Sequence, residues 1–144
     1  MRSIDTPQPA QFAELVKLHL QGRRFLDREK ELKLLEEGVM RYHLTLAEAT
    51  GALRGSVEET GITSQAELDR STLQLLRTLG DKRGRVSRQD FGKVASFYRG
   101  RAGAELSEAE AQSEVKRVMQ QNDIEAKRSG RILPTRRWFR AIEA

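Results

Sequence analysis

Along most of the chain, apolar residues recur every three to four positions, the spacing that gathers them on one side of an α-helix. Over residues 9–21, Phe12, Leu15, Val16 and His19 share a face. Over 27–42 the stripe is Leu32, Leu35, Val39 and Tyr42, and from Thr45 onward it is Leu46, Ala49 and Leu53. Gly51 and Gly55 fall inside that third segment and predict a frayed or broken helix, because glycine costs about 1 kcal/mol against alanine in a helix interior. Residues 64–79 place Leu68, Leu75, Leu76 and Leu79 inward, with Gly80 as a left-handed stop. Residues 87–99 place Phe91, Val94 and Tyr98 inward, and 107–127 do the same with Ala111, Val115, Val118 and Met119. A last helix starts at Pro134 and buries Trp138, Phe139 and Ile142. No alternating Val/Ile/Thr/Tyr run and no Asn-Gly or Asp-Gly hairpin turn is present.

The helix starts share one local device: an apolar residue, a capping residue, then often an acid three positions on. It reads Leu44-Thr45 with Glu48, Ile62-Thr63-Ser64 with Glu67, Val86-Ser87 with Asp90, and Leu106-Ser107 with Glu110; Leu26-Asp27 is a looser copy. The hydroxyl accepts from a free N–H of the first turn, and the acid reaches back to the N–H of the cap. Connections between the predicted helices are short. The expected organisation is therefore a flexible tail at 1–8 and a single helical domain at 9–144.

The stretch GRVSRQDFGKVASFY, residues 84–98, reads like the second half of a calcium-binding hand. With Gly84 at loop position 6, Val86 falls at 8, Ser87 at 9 and Asp90 at 12. Leu79 and Arg83 then occupy ligand places 1 and 5 around Asp81, and Lys82 adds a second cation. A hard dication needs several oxygens, so the pattern argues against calcium. GRVSRQDF also resembles GRILPTRRW at 130–138; a duplicated helix-loop-helix and a shared capping grammar both account for that likeness. Over residues 68–98 the helix, glycine, aliphatic plug and capped second helix resemble degenerate EF-hand-like modules and the tellurite-resistance TerB-like helical domains. The TerB-like resemblance implies an acidic, metal-linked surface. The matching turn here, Asp81-Lys82-Arg83-Gly84-Arg85, is basic, and no functional residue carries over.

Length and composition narrow the class. At 144 residues the chain can bury about 68–70% of its unfolded surface in one core. The absence of cysteine excludes disulfides, thiolate metal sites and cysteine nucleophiles, and suits a reducing compartment. With no secretory-type leader and no apolar run near the ~20 residues a membrane span needs, the expectation is a soluble cytoplasmic protein without membrane insertion. Charge is uneven: residues 1–76 carry a net −2 and residues 77–144 a net +7. That asymmetry matters because the cations cluster. Residues 127–140 hold Lys127, Arg128, Arg131, Arg136, Arg137 and Arg140 around Trp138 and Phe139, and Lys82, Arg83, Arg85 and Arg88 surround the other turn. If the two turns lie side by side they form one basic surface suited to phosphate, the alternative being that the arginines are a solvated rim and the aromatics core anchors.

Other chemistry has less to stand on. His19 and His43 are the only histidines and show no metal-type spacing; each fits a structural role as well as a general base. Glu36-Glu37 and Glu58-Glu59 point about 100° apart on a helix and do not converge. No phosphate loop is present and no cofactor is implied. The expected fold is thus all-α, a bundle of six to seven short helices with EF-hand-like turns. The expected function is a non-enzymatic interaction module that binds a protein partner or assembles with itself. Nucleic-acid binding through the basic C-terminal half is the alternative, and a small hydrolase ranks last.

Overall fold

Helix starts in the computed structural model, which describes residues 8–143, sit where the capping grammar puts them. Asp27 accepts from the Lys30 N–H at 2.8 Å and opens α2 (Arg28–Met40). Thr45 and Glu48 form a reciprocal capping box at α3 (Leu46–Thr60), at 3.1 and 2.9 Å. Hydrogen bonds from Thr45 hold the Glu48 carboxyl below the usual carboxylate range. Ser87 caps α5 (Arg88–Ala102) at 3.1 Å, with the Asp90 carboxylate 3.7 Å from Lys93. Ser107 and Glu110 form a second complete box at α6 (Glu108–Gln121). The apolar residue ahead of these starts is core at Leu26, Leu44, Ile62 and Val86, all buried. The fold is all-α, with seven α-helices among the described residues. α1 (Gln8–Leu20), α4 (Gln65–Leu79) and α7 (Arg137–Arg140) complete the set. Residues 1–7 of the expected tail lie outside the described residues, and Gln8 already belongs to α1.

The chain divides into two compact units, the first ending at Gln65 and the second beginning at Ala66. In the first, α1 packs on α3 and α2 on α3 around Phe12, Val16, Leu20, Leu34, Ala49, Leu53 and Val57. Two-residue strands β1 (Phe25–Leu26) and β2 (Thr63–Ser64) pair in parallel, in register Phe25 with Thr63 and Leu26 with Ser64. These are the strand pairs that the absence of alternation gave no hint of; two residues are too few to show a period of two. Gln65, the last residue of this unit, accepts through Oε1 from the Arg28 N–H at 2.8 Å.

Several inward faces differ from the periodic reading. Leu20 is buried where His19 was expected, and His19 is exposed. On α2, Leu35 and Val39, and Tyr42 just beyond its end, pack half-buried against the core as expected, but the enclosed positions are Leu34 and Gly38, and Leu32 is 59% exposed. Gly38 sets that rotation: a Cβ there would lie 2.9 Å from Phe12 Cζ and 3.0 Å from the Ala49 Cβ, so the aromatic ring packs directly on backbone. Leu46 is 62% exposed as the first residue after its cap. Gly51 and Gly55 do not break α3, which runs unbroken between the Thr45 cap and the left-handed Gly61. Both face open space, so their propensity cost is set against the burial of Ala49, Leu53, Ser56 and Val57 on the other side.

The second unit packs α5 against α6 over Val94, Tyr98, Ala111, Val115, Val118 and Met119. From α4, Leu68 and Leu76 are buried, and Leu75 and Leu79 are half-buried. Across these three helices runs a polar network. Tyr98 Oη donates to Asp69 Oδ1 at 3.0 Å, and Arg117 Nη2 donates to Asp69 Oδ2 and to Glu114 Oε2, both at 2.7 Å. Burial works against the Arg117 charge, but the hydrogen bonds it donates to Asp69 and Glu114 outweigh it and leave its pKa above the usual value. Helix α6 ends at Gln121, six residues before the expected end, with Asp123 in the left-handed region at φ 55°. The chain leaves the helix because Ala126 is needed elsewhere: it forms a parallel bridge with Val86. Among the described residues no helix is long and apolar enough to cross a membrane.

Candidate functional site

The two basic turns of the second unit do lie side by side. The Val86 N–H donates to the Glu125 carbonyl at 2.9 Å, and the Lys127 N–H donates to the Val86 carbonyl at 2.7 Å. The partner of Val86 is Ala126, which is buried; Ile132, which the GRILPTRRW alignment sets against Val86, is 92% exposed. The likeness between the two stretches therefore does not extend to the aliphatic plug.

The first turn is organised by Asp81. Its Oδ1 accepts from the N–H groups of Arg83 and Arg85 at 2.9 and 2.8 Å, and its Oδ2 accepts from Arg85 Nε at 3.1 Å. Lys127 Nζ lies 3.8 Å from the same oxygen. Gly84 takes φ +76°, the left-handed position that lets the chain reverse beneath the carboxylate. The expected left-handed stop at Gly80 is corrected to a close approach, since a Cβ there would sit 3.2 Å from the Gly84 backbone. Hydrogen bonding from the Arg85 N–H holds Asp81 below the ordinary aspartate value; burial opposes this, and donation from Arg83 and the Arg85 guanidinium adds to it. The folded pKa is the lower one, so the stability this contributes is complete above the unfolded value of about 3.9 and is lost as pH falls through the folded value. Asp81→Asn should flatten the pH dependence of urea stability below about pH 4, read by fluorescence of Trp138. Equal slopes in the two proteins would show that Asp81 does not organise the turn.

The second turn carries a finger. Ser129 and Thr135 exchange two backbone hydrogen bonds, at 2.7 and 3.0 Å, and close residues 129–135 at the neck. Ile132 and Leu133 stand within it, 92% and 78% exposed. Trp138 Nε1 donates to the Lys127 carbonyl at 3.1 Å, and Arg136 Nε donates to the Ala126 carbonyl at 2.8 Å, bracing the base. The last helix begins at Arg137, not Pro134, and makes a single turn. Trp138 and Phe139 pack edge-on against the buried Phe91, with centroids 5.3 and 6.1 Å away; they are half-buried anchors, not fully enclosed core. Lys116 clamps this end. Its buried ammonium donates to the carbonyls of Phe139 at 2.9 Å and Ile142 at 2.6 Å and lies 4.9 Å from the Phe139 ring centre.

The ten cations expected to form one surface fall into two groups. Arg85 and Arg136 are half-buried and structural, bound to Asp81 and to Ala126 with Glu125. Lys82, Arg83, Arg88, Arg128, Arg131, Arg137 and Arg140 are exposed and form no ion pair among the described residues, and exposed Lys127 lies between the two groups. Arg128, Arg136 and Arg140 converge with Thr135 and Phe139 on a cleft of about 400 Å3. Among the described residues no three His, Asp or Glu side chains gather to hold a metal ion. His43 is exposed with φ +56° after α2. His19 and Glu37 both line a cleft of the first unit, where His19 is exposed and Glu37 Oε2 lies 3.6 Å from the Arg41 guanidinium.

The sequence reading missed the exposure of Ile132 and Leu133, the clamp by Lys116 and the Asp69 network. The only local signal for the finger was two aliphatics set among arginines with a glycine and a proline on either side. Compared with protein-family models, curated proteins and solved structures, the chain gives no match.

Proposed function

We propose that this chain is a non-enzymatic helical interaction module that binds a protein partner through the finger at residues 129–135. The observation that carries this reading is the pair Ile132 and Leu133, exposed within a loop closed at its neck and flanked by Arg128, Arg131, Arg137 and Arg140, which are exposed and form no ion pair among the described residues. Burying each aliphatic against a partner is worth about 1.5–3 kcal/mol, and a braced loop loses little entropy on docking. The arginines favour a partner whose apolar pocket has an acidic rim. Self-assembly through the same finger belongs to this reading. So does the likeness to degenerate EF-hand-like or TerB-like modules, supported by two turns joined through a backbone bridge.

The intact protein, used as bait, should capture a partner that the Ile132→Asp/Leu133→Asp variant binds at least about 100-fold more weakly, as the loss of two buried aliphatics requires. Sedimentation would show the same difference if the partner is a second copy. Equal binding by the two proteins would overturn the reading. The three-arginine cleft favours nucleic acid as a second reading. It predicts a mobility shift with DNA or RNA that weakens steeply with salt, and no shift at low salt would remove it.

A further inference from the structure

The first unit holds a different kind of site. Between α1 and α2 lies a cleft of about 340 Å3, within the range of small-ligand pockets. Its floor is apolar: Leu20, Leu26 and Leu34 line it and are all buried in the core. Its walls are cationic. Arg23 and Lys30 line it, are half-buried, and have no ion-pair partner among the described residues. Lys33 also lines it, paired only at the surface with Glu29 at 3.3 Å, where both side chains are largely exposed. The one carboxylate in the lining, Glu37, is offset by Arg41, 3.6 Å from an Oε2 that is buried and makes no hydrogen bond. The cleft thus combines a leucine floor with positive charge that no carboxylate among the described residues neutralises. Half-burying two unpaired cations beside leucines costs free energy unless an anion arrives to meet them.

We propose that this cleft binds a small amphipathic anion: a single alkyl chain of medium length ending in a carboxylate. The chain would lie over the leucine floor against Leu15, which also lines the cleft and is half-buried, and the carboxylate would receive the Arg23 fork and the Lys30 ammonium. A fully polar anion would leave Leu15 partly exposed to water, and an uncharged alkyl compound would meet neither cation. Only the combination uses both halves of the cleft. This site is separate in residues and in ligand chemistry from the finger of the second unit.

Decanoate tests the proposal against two amphiphiles of equal chain length, 1-decanol and decyltrimethylammonium. The two ions are titrated below their micelle concentrations and 1-decanol below its solubility limit into the full chain, followed by amide NMR and calorimetry. Decanoate should shift amides of α1 and α2 saturably, and 1-decanol should bind at least about tenfold more weakly, as loss of one charge-assisted hydrogen bond demands. The Arg23→Gln/Lys30→Gln variant should lose at least about tenfold for decanoate and nothing for 1-decanol, with its helix content unchanged by circular dichroism. Neither substitution removes a buried apolar group, so the variant should fold. Equal affinity for all three amphiphiles would overturn the proposal. So would the absence of saturation, shifts confined to the basic turns of the second unit, or undiminished decanoate binding by the variant.

Discussion

Phe12→Ala should cost the first unit about 3–5 kcal/mol, the loss typical of a fully buried aromatic whose space cannot collapse. The ring is completely buried and meets Tyr42 at a centroid distance of 5.8 Å. Its far edge rests on Gly38, where no side chain can move in to refill the space. It also belongs to the cluster in which α1 packs on α3, so the cavity would open at the main helix contact of the unit. Against a total of 5–15 kcal/mol for a typical domain, such a loss leaves little. Urea unfolding followed by far-UV circular dichroism measures it. The reciprocal change, Gly38→Ala, should destabilise by about 1–3 kcal/mol through overpacking, because the built Cβ meets a ring and another Cβ, not the flexible end of a side chain. A change under about 1 kcal/mol for Phe12→Ala would mean that the ring does not pack on the Gly38 backbone.

Asp69→Ala should cost the second unit about 3 kcal/mol. The carboxylate accepts from Tyr98, which is fully buried, and is the counter-charge to Arg117, whose side chain is 20% exposed. Truncation takes from the tyrosine hydroxyl the acceptor it is bonded to and leaves Arg117 with Glu114. Asp69→Asn keeps an oxygen for Tyr98 but loses the charge, and should fall between the two. Trp138 is the only tryptophan and lies in this unit, so its fluorescence during urea unfolding reads both variants. If Asp69→Ala and Asp69→Asn lose equally, the charge matters and the tyrosine bond does not. A loss below about 1 kcal/mol would mean that the network adds nothing beyond the apolar contacts of α4, α5 and α6.

The parts of this fold that were legible are those whose physics is local. A hydroxyl at Thr45 or Ser107 and an acid three residues on satisfy the same turn of helix, so adjacent residues alone predict the start. Helical period likewise found the buried faces of α5 and α6 at Phe91, Val94, Tyr98, Ala111, Val115 and Met119. On the α2 stripe it found Leu35, Val39 and Tyr42, which pack against the core, but it took Leu32 as inward where Leu34 is the enclosed residue. Only the ring of Phe12 on Gly38 decides which way that helix turns. The basic cluster was visible as composition, but not its division into structural Arg85 and Arg136 and exposed Arg128, Arg131, Arg137 and Arg140.

By itself, then, the sequence determined an all-α chain, the helix starts that carry a capping side chain and the position of its charge, because each depends on residues within about one helical turn of one another. Tertiary structure alone decided the early end of α6, the exposed finger, the apolar cleft of the first unit and the Asp69 network. The end of α6 and the network depend on partners far apart along the chain, as Tyr98 and Arg117 are from Asp69 by 29 and 48 residues, and the finger and the cleft on residues more than one helical turn apart. An oxygen or a leucine gives no sign in its neighbours of which distant group will reach it; only the packed chain supplies that partner.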